Sequence, residues 1–234
     1  CTKDDNYHEA FEYLERALQI DPTDAHLYCQ LGAHYIQQHK LKDAALMLNQ
    51  ALALSPEMAQ IHINYGYLYQ LVGDYEKSRR AYERALIIEP QNMEVRGWYG
   101  MVLLSLGQWR TGLSQYEARL GHNTPLRLGV QIWSGEPLHG KTICVYSEQG
   151  IGDCVMCVRY LDALRTSWGA KRILVACPGE VSNLIIGQFG VETYSDLLSL
   201  PPHDYQVAML SLPLHLDRAG VAAGIEFPYL KATV

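Results

Sequence analysis

Residues 59–92, AQIHINYGYLYQLVGDYEKSRRAYERALIIEPQN, decide the fold of this chain, because their landmarks return 34 positions earlier and 34 later. Pro90 closes the stretch, and Pro56 and Pro22 precede it on the same beat. Gly66 stands in phase with Gly32 and Gly100. Small residues repeat at Ala10, Ala44, Ser78 and Gly112, and again at Ala17, Ala51 and Ala85. Bulky positions lie between them: Leu14, Leu48, Tyr82 and Tyr116; Tyr28, His62 and Arg96; Leu31, Tyr65 and Tyr99. Chance does not keep seven columns in register, and a fixed period of this length signals a stacked array of small units.

The residue types suit pairs of antiparallel helices. Small columns allow close approach, bulky columns fill the space between, and each proline stops a second helix because it has no N–H to donate. Asp74, after Gly73, and Lys40 fall in the short turns between helices. The columns resemble the tetratricopeptide repeat. That resemblance implies a helical solenoid over 1–126, with a partial first repeat, full repeats at 25–58 and 59–92, and a degenerate one at 93–126. Counted backwards, the period puts Cys1 inside a first helix, which leaves the second helix at about 7–20 without its mate. Residue 1 is therefore expected to lie within a longer natural chain; an acylated lipoprotein cysteine is the competing reading.

A solenoid presents a concave face lined mainly by first helices. The residues expected there are His26, Gln30, Gln60, Asn64, Tyr67, Gln70, Glu94 and Trp98. They are aromatic and mostly uncharged, suited to a peptide held by backbone hydrogen bonds and ring contacts. The basic clamp that some tetratricopeptide proteins close on an acidic carboxy-terminus is not visible. A protein or peptide is the expected partner, although each of these residues could equally pack between repeats.

Composition narrows the remaining classes. With 48% apolar and 19% charged residues the chain is globular, and apolar runs such as 143–146 and 208–210 are too short to span a bilayer. Net charge is −6, with 11 basic against 15 acidic residues in 1–126 and 8 against 10 in 127–234. Neither half has the basic excess that nucleic acid attracts. Six cysteines, mostly within apolar segments, read as buried hydrophobes in a reducing compartment, so the expected location is cytoplasmic.

After residue 126 the period dissolves. Glycines and prolines punctuate 121–140, and 127–140 is expected as a linker. Short apolar runs at 142–147, 172–177, 191–194 and 205–210 then alternate with helical stretches at about 153–168 and 178–188. The predicted architecture is therefore α followed by α/β, with a half-size Rossmann-like parallel sheet over 141–234. Ligands of such sheets sit at strand carboxyl ends, which directs attention to Glu148-Gln149-Gly150-Ile151-Gly152-Asp153. Gly-x-Gly alone is a weak phosphate signal, because Val155 holds the third glycine position of the dinucleotide fingerprint. Asp153 can also be explained as a helix cap or charge complement. Cys154 and Cys157 have Cys-x-x-Cys spacing but no companion ligands, so no metal site is expected. Ser147 lacks the flanking glycines of a nucleophile elbow.

The ordered elements Gly107, Trp109, Gly112, Tyr116-Glu117 and Arg119, then 133–142 (WSGEPLHGKT), then 148–153 (EQGIGD) and Arg159-Tyr160 look like bacterial proteins that join tetratricopeptide repeats to a glycosyltransferase-like domain. That domain is similar to the ADP-heptose:lipopolysaccharide heptosyltransferases, which have two Rossmann-like halves (the GT-B fold). The segments 211–214 and 227–230 fit the same half. The resemblance implies that Asp153 is the general base toward an acceptor hydroxyl, with Glu148 as the alternative base. Gln149, Gly150 and Gly152 would line the substrate side, and Lys141 and Arg159 are possible phosphate contacts. It implies a nucleotide-sugar donor only together with a carboxy-terminal half that this chain does not reach, so no cofactor is expected in the chain itself. The alternative is a non-catalytic interaction scaffold.

Overall fold

The computed structural model describes residues 3–121, 129–197, 199–217 and 229–230, with side chains from residue 11 onward apart from that of residue 217. Two compact units divide the chain at 119/120. The first is helical throughout: α1 (Lys3–Ile20), α2 (Ala25–Gln37), α3 (Leu41–Leu54), α4 (Ala59–Leu71), α5 (Tyr75–Ile88), α6 (Met93–Ser105) and α7 (Trp109–Tyr116), closed by a 3₁₀ turn at Glu117–Leu120.

The columns become contacts. A Cβ added to Gly32 would meet the Leu48 side chain at 2.7 Å, and one on Gly66 would strike the Tyr82 ring at 2.4 Å. At Gly100 the obstacle is backbone, with Tyr116 N at 2.6 Å and Gly112 O at 2.9 Å. The degenerate third repeat thus brings α6 and α7 closer than side chains allow, and glycine in both columns permits it. Polar contacts also recur in phase. The Tyr65 hydroxyl donates to Asn49 Oδ1 at 2.6 Å, and the Tyr99 hydroxyl to Glu83 Oε1 at 2.8 Å. His62 Nε2 bonds Pro56 O, and Arg96 donates to Pro90 O. Asp24, Asp74 and Asn92 each cap a helix with a side-chain oxygen.

The second unit carries β1 (Gln131–Ile132), β2 (Thr142–Tyr146), α8 (Ile151–Cys157), α9 (Leu161–Thr166), β3 (Arg172–Ala176), α10 (Gly179–Ile185), β4 (Glu192–Tyr194), β5 (Tyr205–Ala208) and α11 (Leu212–Asp217), with 3₁₀ turns at Val158–Tyr160 and Met209–Ser211. All pairings are parallel, in the order β1-β5-β2-β3-β4. Cys144, Tyr146, Leu174, Ala176 and Ala208 pack on one face, and Ile143, Val145, Ile173, Val175 and Val207 are buried on the other. Burial on both faces is why these strands read as continuous apolar runs and not as alternating ones.

Two expectations need correction here. The stretch expected as a linker at 127–140 is part of the sheet unit where it is described, and residues 127–128 lie outside the described residues. It supplies β1, and Trp133 is fully buried there, with its Nε1 donating to Glu136 O at 2.7 Å and its ring edge-on to Trp168 at 5.8 Å. Leu138 N donates to Trp168 O at 2.8 Å. The helix expected over 153–168 starts at Ile151 and is interrupted by the 3₁₀ turn, which buries Val158 and sets the Arg159 guanidinium over the Tyr160 ring. Cys1, Pro125 and residues 227–228 lie outside the described residues.

Candidate functional site

Two places in the molecule gather residues that could meet a ligand. In the repeats, positions 26, 30, 33 and 37 of α2 recur as 60, 64, 67 and 71 of α4 and as 94, 98, 101 and 105 of α6. Spacings of four, three and four put each set along one side of its helix. These first helices are nearly free of charge: α2 and α4 contain no Asp, Glu, Lys or Arg, and α6 contains only Glu94 and Arg96. Arg96 points to Pro90 O and Gln115, off the stripe. By contrast α5, a second helix, carries six charged residues, several joined in the Glu76–Arg79–Glu83 network.

Of the eight residues expected on this face, His26, Gln30, Gln60, Tyr67 and Glu94 are exposed, Tyr67 by 49%. The other three hold helices together. Asn64 is buried, donating to Cys29 O at 3.2 Å across to α2 and accepting from Gln60 Nε2 at 3.0 Å. Gln70 Oε1 accepts the Tyr82 hydroxyl at 2.7 Å, and the half-buried Trp98 ring lies 6.2 Å from that of Tyr82. Burial pushes the Tyr82 hydroxyl pKa well up, so it stays a neutral donor. Leu71 and Met101 are exposed on the same stripes and were missed. Their signal was the phase itself, one step beyond positions 67 and 98.

The second place is the loop after β2. Strands β2, β3 and β4 run outward on one side, and β5 returns to the other side of β2, so the order reverses between β2 and β5. In open parallel sheets a crevice forms at such a reversal, beyond the strand carboxyl ends. Glu148 bridges it: its carboxylate accepts Met209 N at 3.0 Å and Leu210 N at 3.2 Å. A carboxylate that accepts two backbone N–H groups braces the loop against the turn after β5. Asp153, half-buried in the first turn of α8, makes no hydrogen bond or ion pair among the described residues, and the helix start at Gly150 has no side-chain cap bond. The capping reading of Asp153 therefore lacks its bond, while charge complement to the helix start still holds.

Gln149, Gly150 and Gly152 are exposed. A Cβ at Gly152 would meet nothing within 4 Å, and one at Gly150 only Asp153 Oδ2 at 3.6 Å, so packing requires neither glycine. Lys141 pairs with Asp204 at 3.5 Å, which occupies it at the opposite end of β2. Arg159 lies over the rings of Tyr160 and Tyr229 at 5.1 and 5.9 Å, and its buried Nε has no hydrogen-bond partner among the described residues. Cys154 and Cys157 are fully buried, and desolvation raises both thiols, Cys157 to about 12. That is the reverse of what a redox pair needs. Among the described residues no group of three or more His, Cys, Asp or Glu side chains is placed to hold a metal.

Comparison with known proteins supports the repeat reading. The tetratricopeptide-repeat family matches residues 2–63 and, through a second description of the same repeat, 59–92. The chain carries tetratricopeptide repeats. Among solved structures it is similar to MamA, at 24% identity over 49% of this chain and 67% of that one, with a TM-score of 0.44. A thermophilic repeat protein of Thermus thermophilus matches at 23% identity over 53% and 69%, TM-score 0.46. A tetratricopeptide repeat protein of Parabacteroides merdae matches at 24% over 53% and 49%, TM-score 0.45. No curated protein matches the chain. No helix among the described residues is long and apolar enough to cross a membrane.

Proposed function

We propose that this chain binds a polypeptide segment of a partner protein across the first-helix stripes of its repeats. The observation that carries the reading is the in-phase set of exposed and, apart from Glu94, uncharged side chains on α2, α4 and α6, beside an α5 that carries six charges. The residues that meet the segment are His26, Gln30, Gln60, Tyr67, Leu71, Glu94 and Met101, while Asn64, Gln70 and Trp98 hold the surface in shape. The test is a pull-down of partners from source cells with the wild-type chain and with Tyr67→Ala/Leu71→Ala. Both side chains are exposed, so folding is preserved, and partner capture falls at least about tenfold, as for loss of a contact centre. Undiminished capture contradicts the reading.

A second reading concerns the sheet unit, and the open carboxylate of Asp153 at the reversal of strand order favours it. On this reading the unit is the Rossmann-like amino-terminal half of a GT-B glycosyltransferase-like domain. It would supply the acceptor side of a sugar-transfer site in a cytoplasmic protein whose repeats deliver a polypeptide acceptor. Asp153 takes the proton from the acceptor hydroxyl as the anomeric carbon is attacked, with Gln149, Gly150 and Gly152 beside the acceptor. Glu148 then positions the loop and does not act as the base. In such a domain the nucleotide-sugar donor would be held by the second Rossmann-like half. In the full protein Asp153→Asn abolishes transfer and leaves the melting temperature within about 2 °C, because no bond of the fold is lost. Transfer that survives the change, or a collapse in stability, refutes this reading and leaves the non-catalytic scaffold.

A further inference from the structure

We infer that the segment held by the repeats is an internal, charge-poor stretch of polypeptide with apolar and aromatic side chains, and neither an acidic nor a basic tail. The inference rests on the binding reading above and deepens it. A chain terminus or a charged tail needs an opposite charge fixed on the receiving surface, since a desolvated charge left without a partner is costly. Along the three stripes the side chains other than Tyr67 that can carry a charge are His26 and Glu94, and no Lys or Arg stands among them. A terminal carboxylate or an acidic run would find no Lys or Arg there and would meet Glu94. A basic run would find a single exposed carboxylate at the edge of the surface. What the stripes offer at their centre is the exposed Tyr67 ring and the Leu71 and Met101 side chains. Gln30 and Gln60 supply exposed amides beside them, which match the N–H and C=O groups of an extended backbone.

The neighbouring helices reinforce the partition. Glu76, Arg79 and Glu83 are paired with one another on α5, and Glu83 also accepts the Tyr99 hydroxyl. These charges are engaged within their own layer. An extended chain rises about 3.3 Å per residue, and directly packed helices lie about 8–10 Å apart, so crossing all three stripes takes at least about six residues.

The experiment is a selection of random displayed peptides of about 12 residues, twice that crossing length, on the full chain, followed by affinity measurement of the enriched peptides as synthetic amides and acids. The inference expects enriched cores poor in Asp, Glu, Lys and Arg. It expects a Kd that changes less than about twofold between 50 and 500 mM salt, where surface ion pairs are screened. Amide and free-acid forms bind alike, and Tyr67→Ala/Leu71→Ala abolishes binding of both. Enriched peptides that are acidic or basic, weaken more than about tenfold with salt, and still lose binding in that double variant overturn the inference while the groove reading stands. Peptides whose binding ignores the double variant, or a selection that enriches nothing, overturn both.

Discussion

Gly66 and Gly100 in the repeats and Gly150 and Gly152 in the sheet unit serve opposite ends. In the repeats Gly66 and Gly100 are forced, because any side chain there enters the Tyr82 ring or the backbone of the facing helix. In the sheet unit Gly152 faces open space and Gly150 is nearly as free, so glycine is tolerated by the fold and not demanded by it. A forced glycine reports on packing; an unforced pair beside an open carboxylate points outward, to whatever approaches the loop. The same residue type therefore carries structural information at Gly66 and Gly100 and a functional suggestion at Gly150 and Gly152.

The contrast can be broken from either side. The largest effect is expected from Trp133→Ala, which removes a fully buried ring that locks 131–138 onto the sheet and should cost about 4 kcal/mol. Chemical denaturation followed by amide exchange at β1 and β2 measures it. A loss below about 1 kcal/mol would return 127–140 to linker status. In the repeats Gly100→Ala should cost about 3 kcal/mol, because the obstacles are backbone atoms that cannot rotate away. Its control is Gly97→Ala, three residues earlier, where the nearest atom to the new Cβ is 3.8 Å away. That change should be neutral or stabilising by up to about 1 kcal/mol. Equal losses at both positions would remove the close-approach argument.

A smaller gain tests the period itself. His39 has φ +56, in phase with Gly73 at +76 and Gly107 at +75. His39→Gly should therefore stabilise the chain by about 1 kcal/mol, since the left-handed region penalises a side chain. The smallest effect concerns pH. The backbone N–H of Thr142, and then Lys141, hold the Asp204 carboxyl below its usual 3.8. Because the folded value is the lower one, the stability it contributes is present above 3.8 and is lost as pH falls through the folded value. Melting followed from about pH 6 to pH 3 should drop further in wild type than in Asp204→Asn. Parallel curves would show that the bond to Thr142 carries no linkage.

What could be read from the chain follows the same division. The repeat itself was legible because 34-residue columns average over every local ambiguity, and the family matches at 2–63 and 59–92 fall on those columns. Within the candidate face the period placed residues on the right helices but could not distinguish a side chain facing outward from one facing a neighbouring repeat. Asn64 and Gln70 are amides like Gln30 and Gln60, and only the reach to Cys29 O and to the Tyr82 hydroxyl separates them. In the sheet unit four strands were visible as apolar runs, but β1 is two exposed residues after Gly129, too short for any periodicity. Glu148 was legible as a candidate and not as a brace, because its partners lie 61 and 62 residues downstream.

The most direct test of the central claim is an amide NMR titration of the isotope-labelled chain with one peptide selected on it. The largest shift changes are expected on α2, α4 and α6, around Gln30, Tyr67 and Met101. Shift changes concentrated on the charged α5, or on the loop at 148–153, would contradict it.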